Sequence, residues 1–286
     1  MSISSPSTPI PLTCMVGIQY GEADGIPLYL DLLYPYPLPT TPLPTIVRLV
    51  CSGWQEAHRG WVMVPWGNPL FASHQFIAVS ASVRLSWQAP FPAQIHDTKA
   101  VIRWLRAHAH EYSIDPDRIG VTGDSAAGHL ASLLGLTTNH TLLEGNSGSP
   151  DYSSQVQAVV AMSAPSDFLS TGGLMINDAD SPVTRLFGGT RSEREALMRL
   201  ASPLDHVHAG APPFLIVHGT HDETVPFEQG ERLSQALLSA GVDVTFVPIQ
   251  NAYHNLREDP LLPWEGDIWE QMGQLELDFF QKHLRK

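Results

Sequence analysis

Ile119-Gly120-Val121-Thr122-Gly123-Asp124-Ser125-Ala126-Ala127-Gly128-His129-Leu130 decides how the rest of the chain is read. An apolar run passes directly into small residues and then into a helical pattern. A serine on so sharp a strand-to-helix turn must adopt a strained backbone. Its neighbours must be small, because a larger side chain at Gly123 or Ala127 would collide with the turn. The turn lifts Ser125 Oγ out of the sheet. It also aims the Ala126 N–H and the helix N-terminus at one space, where negative charge is tolerated. The usual spacing is G-x-S-x-G, and Ala127 in its last place is the smallest departure available. The competing reading is a serine N-cap in a glycine-rich turn. A strand before and a helix after favour the nucleophile.

Outward from this stretch, strands alternate with helices. Thr45–Val50 and Phe76–Val83 read as strands before it, and Arg118–Thr122 as the strand that enters it. Asp115-Pro116-Asp117 reads as a turn. Val156–Ala161, Phe214–Val217 and Val244–Pro248 read as strands after it. Ala93–His110 carries Ile95, Val101, Ile102, Trp104 and Leu105 at helical spacing. Ala126–Leu136, Pro226–Ala240 and Ile268–Leu284 read as further helices. Such alternation predicts an α/β fold, a mostly parallel sheet covered by helices on both faces. Two earlier runs, Thr13–Tyr20 and Ile26–Leu33, flank Gly21–Gly25 and suggest a short antiparallel hairpin. Tyr34–Pro44 holds five prolines and suits an exposed connection. The Ser- and Pro-rich residues 1–11 read as a flexible arm. The long stretch 167–211 reads as a small cap or active-site loop on a single domain spanning 1–286.

Charge narrows the function classes. The 286 residues hold 16 Lys+Arg against 29 Asp+Glu, a formal net charge of −13. No basic run exists to track phosphates, which argues against nucleic acid as a partner. No apolar run reaches the roughly 18 residues of a membrane span. The first basic residue is Arg48, so residues 1–20 lack the positive start of a secretory leader, which points to a cytoplasmic location. Cys14 and Cys51 are the only cysteines, too few for a disulfide framework. Cys51 reads as a small buried thiol.

A serine needs a histidine within hydrogen-bond reach to act as a nucleophile. On this topology the acid and the histidine follow later strands, in the order Ser, Asp, His. Asp222 stands on the loop that leaves the strand Phe214–Val217, and Pro226 suits the opening of the next helix. His254 follows the strand Val244–Pro248, 32 residues beyond Asp222 and so far enough for one helix and one strand. Glu223 and Asp205 are the rival acids. His218 reads as the end of a buried strand and His221 as a loop residue. His206 and His208 lack the carboxylate-rich company of a metal site. No metal or organic cofactor is expected.

Several patches then resemble the α/β-hydrolase esterases related to hormone-sensitive lipase, especially the small bifunctional feruloyl and acetyl xylan esterases. The likeness runs over roughly residues 25–285. It includes the segment from Arg84-Leu85-Ser86-Trp87 to Arg106, Asp115-Pro116-Asp117-Arg118-Ile119-Gly120, Ser202-Pro203-Leu204-Asp205, Pro212–Gly219 and Val225-Pro226-Phe227. It implies an α/β-hydrolase fold and a catalytic triad of Ser125, Asp222 and His254. Family members carry His-Gly-Gly-Gly-Trp after the third strand, where two glycine amides complete an oxyanion hole. Here the stretch is Val50-Cys51-Ser52-Gly53-Trp54. The resemblance therefore assigns oxyanion donors to Ala126, Gly53 and Ser52. A residue with a Cβ at position 52 resists φ > 0, and one lost donor is worth about 10²–10³ in rate.

Trp54, Trp61, Trp66 and Trp87 fall near loops that should border the site. Trp54 is expected to form a substrate-stacking wall, and the other three to pack between helix and sheet. The expected activity is hydrolysis of a small-molecule or carbohydrate ester, with short acyl groups, acetylated sugars or feruloyl esters as candidates. An amidase, formamidase or peptidase on the same fold, and a ligand-binding relative with impaired catalysis, remain open, as does the oligomeric state.

Overall fold

A computed structural model of the chain describes residues 10–170, 180–257 and 267–285. Eight strands form one sheet in the order β1-β2-β4-β3-β5-β6-β7-β8. These are β1 (Leu12–Ala23), β2 (Ile26–Pro35), β3 (Leu43–Val50), β4 (Ile77–Ser82), β5 (Ile114–Asp124), β6 (Ala158–Met162), β7 (Phe214–Gly219) and β8 (Val244–Ile249). β2 is antiparallel to β1 and β4, and every later pairing is parallel. The helices are α1 (Asn68–Ser73), α2 (Ala93–Ala107), α3 (Ala126–Leu136), α4 (Pro182–Phe187), α5 (Arg191–Ala201), α6 (Glu228–Ser239) and α7 (Asp267–Leu284). This is the α/β-hydrolase architecture, opened by an antiparallel hairpin.

The hairpin is longer than the sequence suggests. Ala23 pairs with Ile26, so only Asp24 and Gly25 turn the chain, at φ of 53° and 75°. Two positive φ values in a two-residue loop match the twist of the flanking strands. Asp115–Asp117 is also absorbed into a strand. Asp115 Oδ1 accepts the Asp117 N–H there, and the pairing of β5 with β3 shifts beside it.

Alternation along each strand sends successive side chains to opposite faces and builds two cores. Val47, Val79 and Val121 meet α2, α3 and α6 on one face. Ile46, Ala78 and Val160 meet Phe71 of α1 and Leu277 and Phe280 of α7 on the other. The parallel strands β3, β4, β6 and β7 are buried on both sides, which explains their continuous apolar runs, and β5 is continuously buried only from Ile119 to Gly123. Among the described residues, no helix is long and apolar enough to cross a membrane.

Stretch 167–211 contains α4, α5 and a 3-10 turn at Pro203–His206, with residues 171–179 outside the description. Of the expected arm, residues 1–9 also lie outside it.

Candidate active site

β5 ends at Asp124, and α3 begins at Ala126. Ser125 between them holds φ 55° and ψ −121°, a strained conformation for a residue with a Cβ. Sterics enforce the bend. A Cβ on Gly123 would lie 2.4 Å from the Ala127 carbonyl carbon, and one on Gly128 would lie 2.9 Å from Met162 O. Position 127 tolerates its methyl, so the close approach falls on Gly123 and Gly128. The Ser125 N–H is held by Met162 O at 2.8 Å. Its side chain makes no capping bond to the helix, and instead Oγ lies 3.0 Å from His254 Nε2.

His254 follows β8, and its Nδ1 lies 2.8 Å and 3.0 Å from the two Asp222 oxygens. That contact makes Nδ1–H the donor and leaves the Nε2 lone pair facing the hydroxyl. Asp222 Oδ1 also accepts the Thr224 and Val225 N–H groups at 3.0 Å and 2.8 Å. Burial alone would raise this carboxyl. Hydrogen bonds from His218 and His254, the His254 charge and the Val225 amide outweigh it and hold Asp222 below the ordinary carboxylate range. His218 is buried at the end of β7, and its Nε2 donates to Val225 O at 2.8 Å. The rival acids Glu223 and Asp205 are exposed, and Asp205 faces Arg199 at 3.6 Å.

The loop after β3 departs from the expected donor set. Ser52 N–H is not free, because it donates to Glu56 O at 2.8 Å. Gln55 and Glu56 N–H groups return to Ser52 O, closing a small bridge. The Trp54 N–H is taken by Cys51 Sγ, and burial pushes that thiol up to about 12. Gly53 N–H makes no backbone bond among the described residues. Gly53 and Trp54 both hold positive φ, 52° and 56°. Ser52 therefore leaves the candidate oxyanion set, and Gly53 and Ala126 remain.

The tryptophans reverse their expected roles. Trp54 is only 4% exposed, packed against His129 and Phe168, and its Nε1 donates to His129 Nδ1 at 3.3 Å. It is a support beneath the loop rather than a stacking wall. His129 Nε2 donates to Ala201 O at 2.8 Å, and burial lowers its pKa to about 4, so the ring stays neutral. By contrast Trp61 and Trp87 are 51% and 73% exposed, and Trp61 and Trp66 line a cavity beside Ser125.

That cavity has a volume of about 530 Å³, within the range typical of small-molecule sites. Asp124, the residue before the serine, also lines it. Burial raises the Asp124 carboxyl to about 6 despite the opposing influence of His254 and Asn255, whose side-chain amide donates to Oδ2. Sequence reasoning missed Asp124, Asn255 and His129. Asp124 and His129 stand inside the decisive stretch, and nothing in the pattern shows which of its polar residues is buried. Among the described residues, no group of three or more His, Cys, Asp or Glu side chains is arranged to hold a metal ion.

A family profile described as BD-FAE matches residues 30–237. The esterase LipQ of Mycobacterium tuberculosis is 34% identical over 182 residues, covering 63% of this chain and 42% of LipQ. The same organism's probable carboxylic ester hydrolase LipM is 31% identical, covering 74% of this chain and 48% of LipM. The chain thus spans under half the length of these relatives. A truncated carbohydrate esterase from gut microbiota superposes with a TM-score of 0.82 at 27% identity, covering 98% of this chain and 99% of that one.

Proposed function

The chain belongs to the BD-FAE family, and from that premise we propose that it is a serine carboxylic-ester hydrolase. The observation that carries this reading is one continuous contact path: Ser125 Oγ to His254 Nε2 at 3.0 Å, and His254 Nδ1 to Asp222 Oδ2 at 2.8 Å.

His254 takes the hydroxyl proton as Ser125 Oγ attacks the ester carbonyl. Asp222 keeps the ring in the tautomer that accepts that proton and stabilises the imidazolium. The oxyanion is received by the Ala126 and Gly53 N–H groups, with the N-terminus of α3 behind the first of them. His254 then returns the proton to the leaving alcohol. Water repeats the sequence on the acyl-enzyme. Each step needs only side chains and amides already described.

The relatives are named as esterases, and the carbohydrate esterase covers nearly the whole chain, which supports ester over amide bonds. Small esters are the proposed substrates, with acetylated sugars and feruloyl esters as the classes to try first. Ser125→Ala should reduce hydrolysis of p-nitrophenyl acetate to background. Undiminished turnover in that variant removes the proposal. Faster turnover of p-nitroacetanilide than of the acetate ester by wild type would instead favour an amidase.

A further inference from the structure

The cavity beside Ser125 does not have an apolar floor. β3 and β5 pair with Arg48 opposite Thr122, three residues before Ser125. At about 3.3 Å per residue the floor is about 10 Å from the nucleophile. Arg48 and Glu276 both line the cavity and are 9% and 2% exposed. Arg48 Nη2 meets Glu276 Oε2 at 2.7 Å, and Thr122 Oγ1 donates to the same oxygen at 3.0 Å. The Arg48 guanidinium lies over the Phe71 ring, 5.2 Å from its centroid. Its Nε is buried with no hydrogen-bond partner among the described residues.

A buried ion pair is a poor way to fill space. An apolar pair of similar volume often stabilises a fold at least as well. An unsatisfied buried donor costs more still. The rest of the lining is mostly apolar and includes Trp61, Trp66, Val62, Val64 and Trp269. Trp269, Gly273 and Glu276 recur at helical spacing and present one face of α7 to the cavity. A Cβ at Gly273 would lie 2.5 Å from Trp66 O, so glycine lets the helix close the wall. A closed end suits the acyl group, which stays on the serine, rather than the alcohol, which must depart.

Resting on the esterase reading, we propose that Arg48, held by Glu276, is a specificity-determining residue. It receives a neutral oxygen at the far end of the acyl group of an ester. Asp124 and Glu276 line the same cavity, so an added carboxylate would be repelled, whereas an ether, hydroxyl or carbonyl oxygen would satisfy the guanidinium.

The test compares p-nitrophenyl 5-methoxypentanoate with p-nitrophenyl heptanoate, which differ by one oxygen in place of a methylene. Each kcat/KM is divided by the rate of uncatalysed hydrolysis. An apolar floor favours heptanoate, which buries a methylene where the other ester carries oxygen. The proposed floor favours the ether ester by about tenfold, the scale of a hydrogen bond to a charged group. Replacing both partners, Arg48→Met with Glu276→Leu, should reverse the preference. Equal rates or a heptanoate preference in wild type overturns the proposal, and so does an ether preference that survives in the double variant. The wild-type comparison stands even if the double variant fails to fold. Turnover of p-nitrophenyl acetate but of neither longer ester also overturns it while leaving the esterase reading intact. Absence of turnover with all three esters removes the esterase reading itself.

Discussion

The bend around Ser125 and the loop around Gly53 stand at the same end of the sheet, yet different forces hold them. Steric exclusion shapes the bend: Gly123 and Gly128 have no room for a side chain, and the backbone passes between them with Ser125 at positive φ. Hydrogen bonds shape the loop: Ser52 with Glu56, Trp54 with Cys51, and the Trp54 indole through His129 to Ala201. Steric rules leave a short local signature. Hydrogen bonds to residues 75 and 72 positions away along the chain do not. Half of the proposed oxyanion hole is therefore written in one stretch of sequence, and the other half depends on α3 and α5.

The largest expected effect tests what the bend is for, the activation of its serine by His254. Asp222→Asn should lower kcat by about 10⁴ with little change in the fold, because the amide stabilises the wrong histidine tautomer. Stopped assays on p-nitrophenyl acetate check this. A loss below tenfold would mean that the acid acts only as a structural partner of Thr224 and Val225.

Asp124 links the bend to the histidine loop through Asn255. Its carboxyl titrates near pH 6 in the fold, against an ordinary value of 3.8. The folded chain therefore prefers the protonated form. The stability from this group is full below about pH 3.8 and is lost as pH rises through about 6. Asp124→Asn cannot ionise, so it should exceed wild type by about 2–3 kcal/mol at pH 8, with the difference shrinking toward pH 4. Urea unfolding at both pH values measures it. A constant difference would locate the titration elsewhere.

On the side held by hydrogen bonds, His129→Leu leaves the buried Trp54 indole N–H unsatisfied, at a cost of about 1–3 kcal/mol. If the indole positions Gly53, kcat should also fall about tenfold while KM stays within twofold. A stability loss with unchanged kcat would make the contact packing only. The smallest effects come from the loop itself. Gly53→Ala forces a Cβ onto a φ of 52° and should lower kcat about fivefold. Ser52→Gly should change it less than twofold, because the Ser52 amide is already committed to Glu56. The reverse order would restore Ser52 to the donor set.

What could be read in advance follows the same division. Buried parallel strands announce themselves as apolar runs, so β3, β4, β6 and β7 were legible to within a few residues. The half-exposed edge strand β8 also kept an apolar run, whereas the polar start of β5 hid four of its residues. The three side chains Ser125, Asp222 and His254 could be chosen because each follows a strand whose end faces the same edge. Three helices were not read, although two carried end signals. Ser181 caps α4, with Pro182 at its first position and Gly188 left-handed at its end. Thr190 and Glu193 form a capping box on α5. The six-residue helices α1 and α4 show too few turns for a periodic apolar face, whereas α5 is as long as α3 and was missed because charged residues dominate its sequence and only Met198 and Ala201 are buried. The roles of the tryptophans were illegible for another reason. Trp54 and Trp61 are seven residues apart in similar surroundings, and only the three-dimensional path of the loop buries one and exposes the other.

The central claim is that Ser125 Oγ is the hydroxyl activated by His254. Incubation with a fluorophosphonate followed by peptide mass analysis tests it most directly. A single adduct on the peptide carrying Ser125, formed at least 10³-fold more slowly in His254→Ala, is the predicted result. Labelling at another residue, or equally fast labelling without the imidazole, would contradict it.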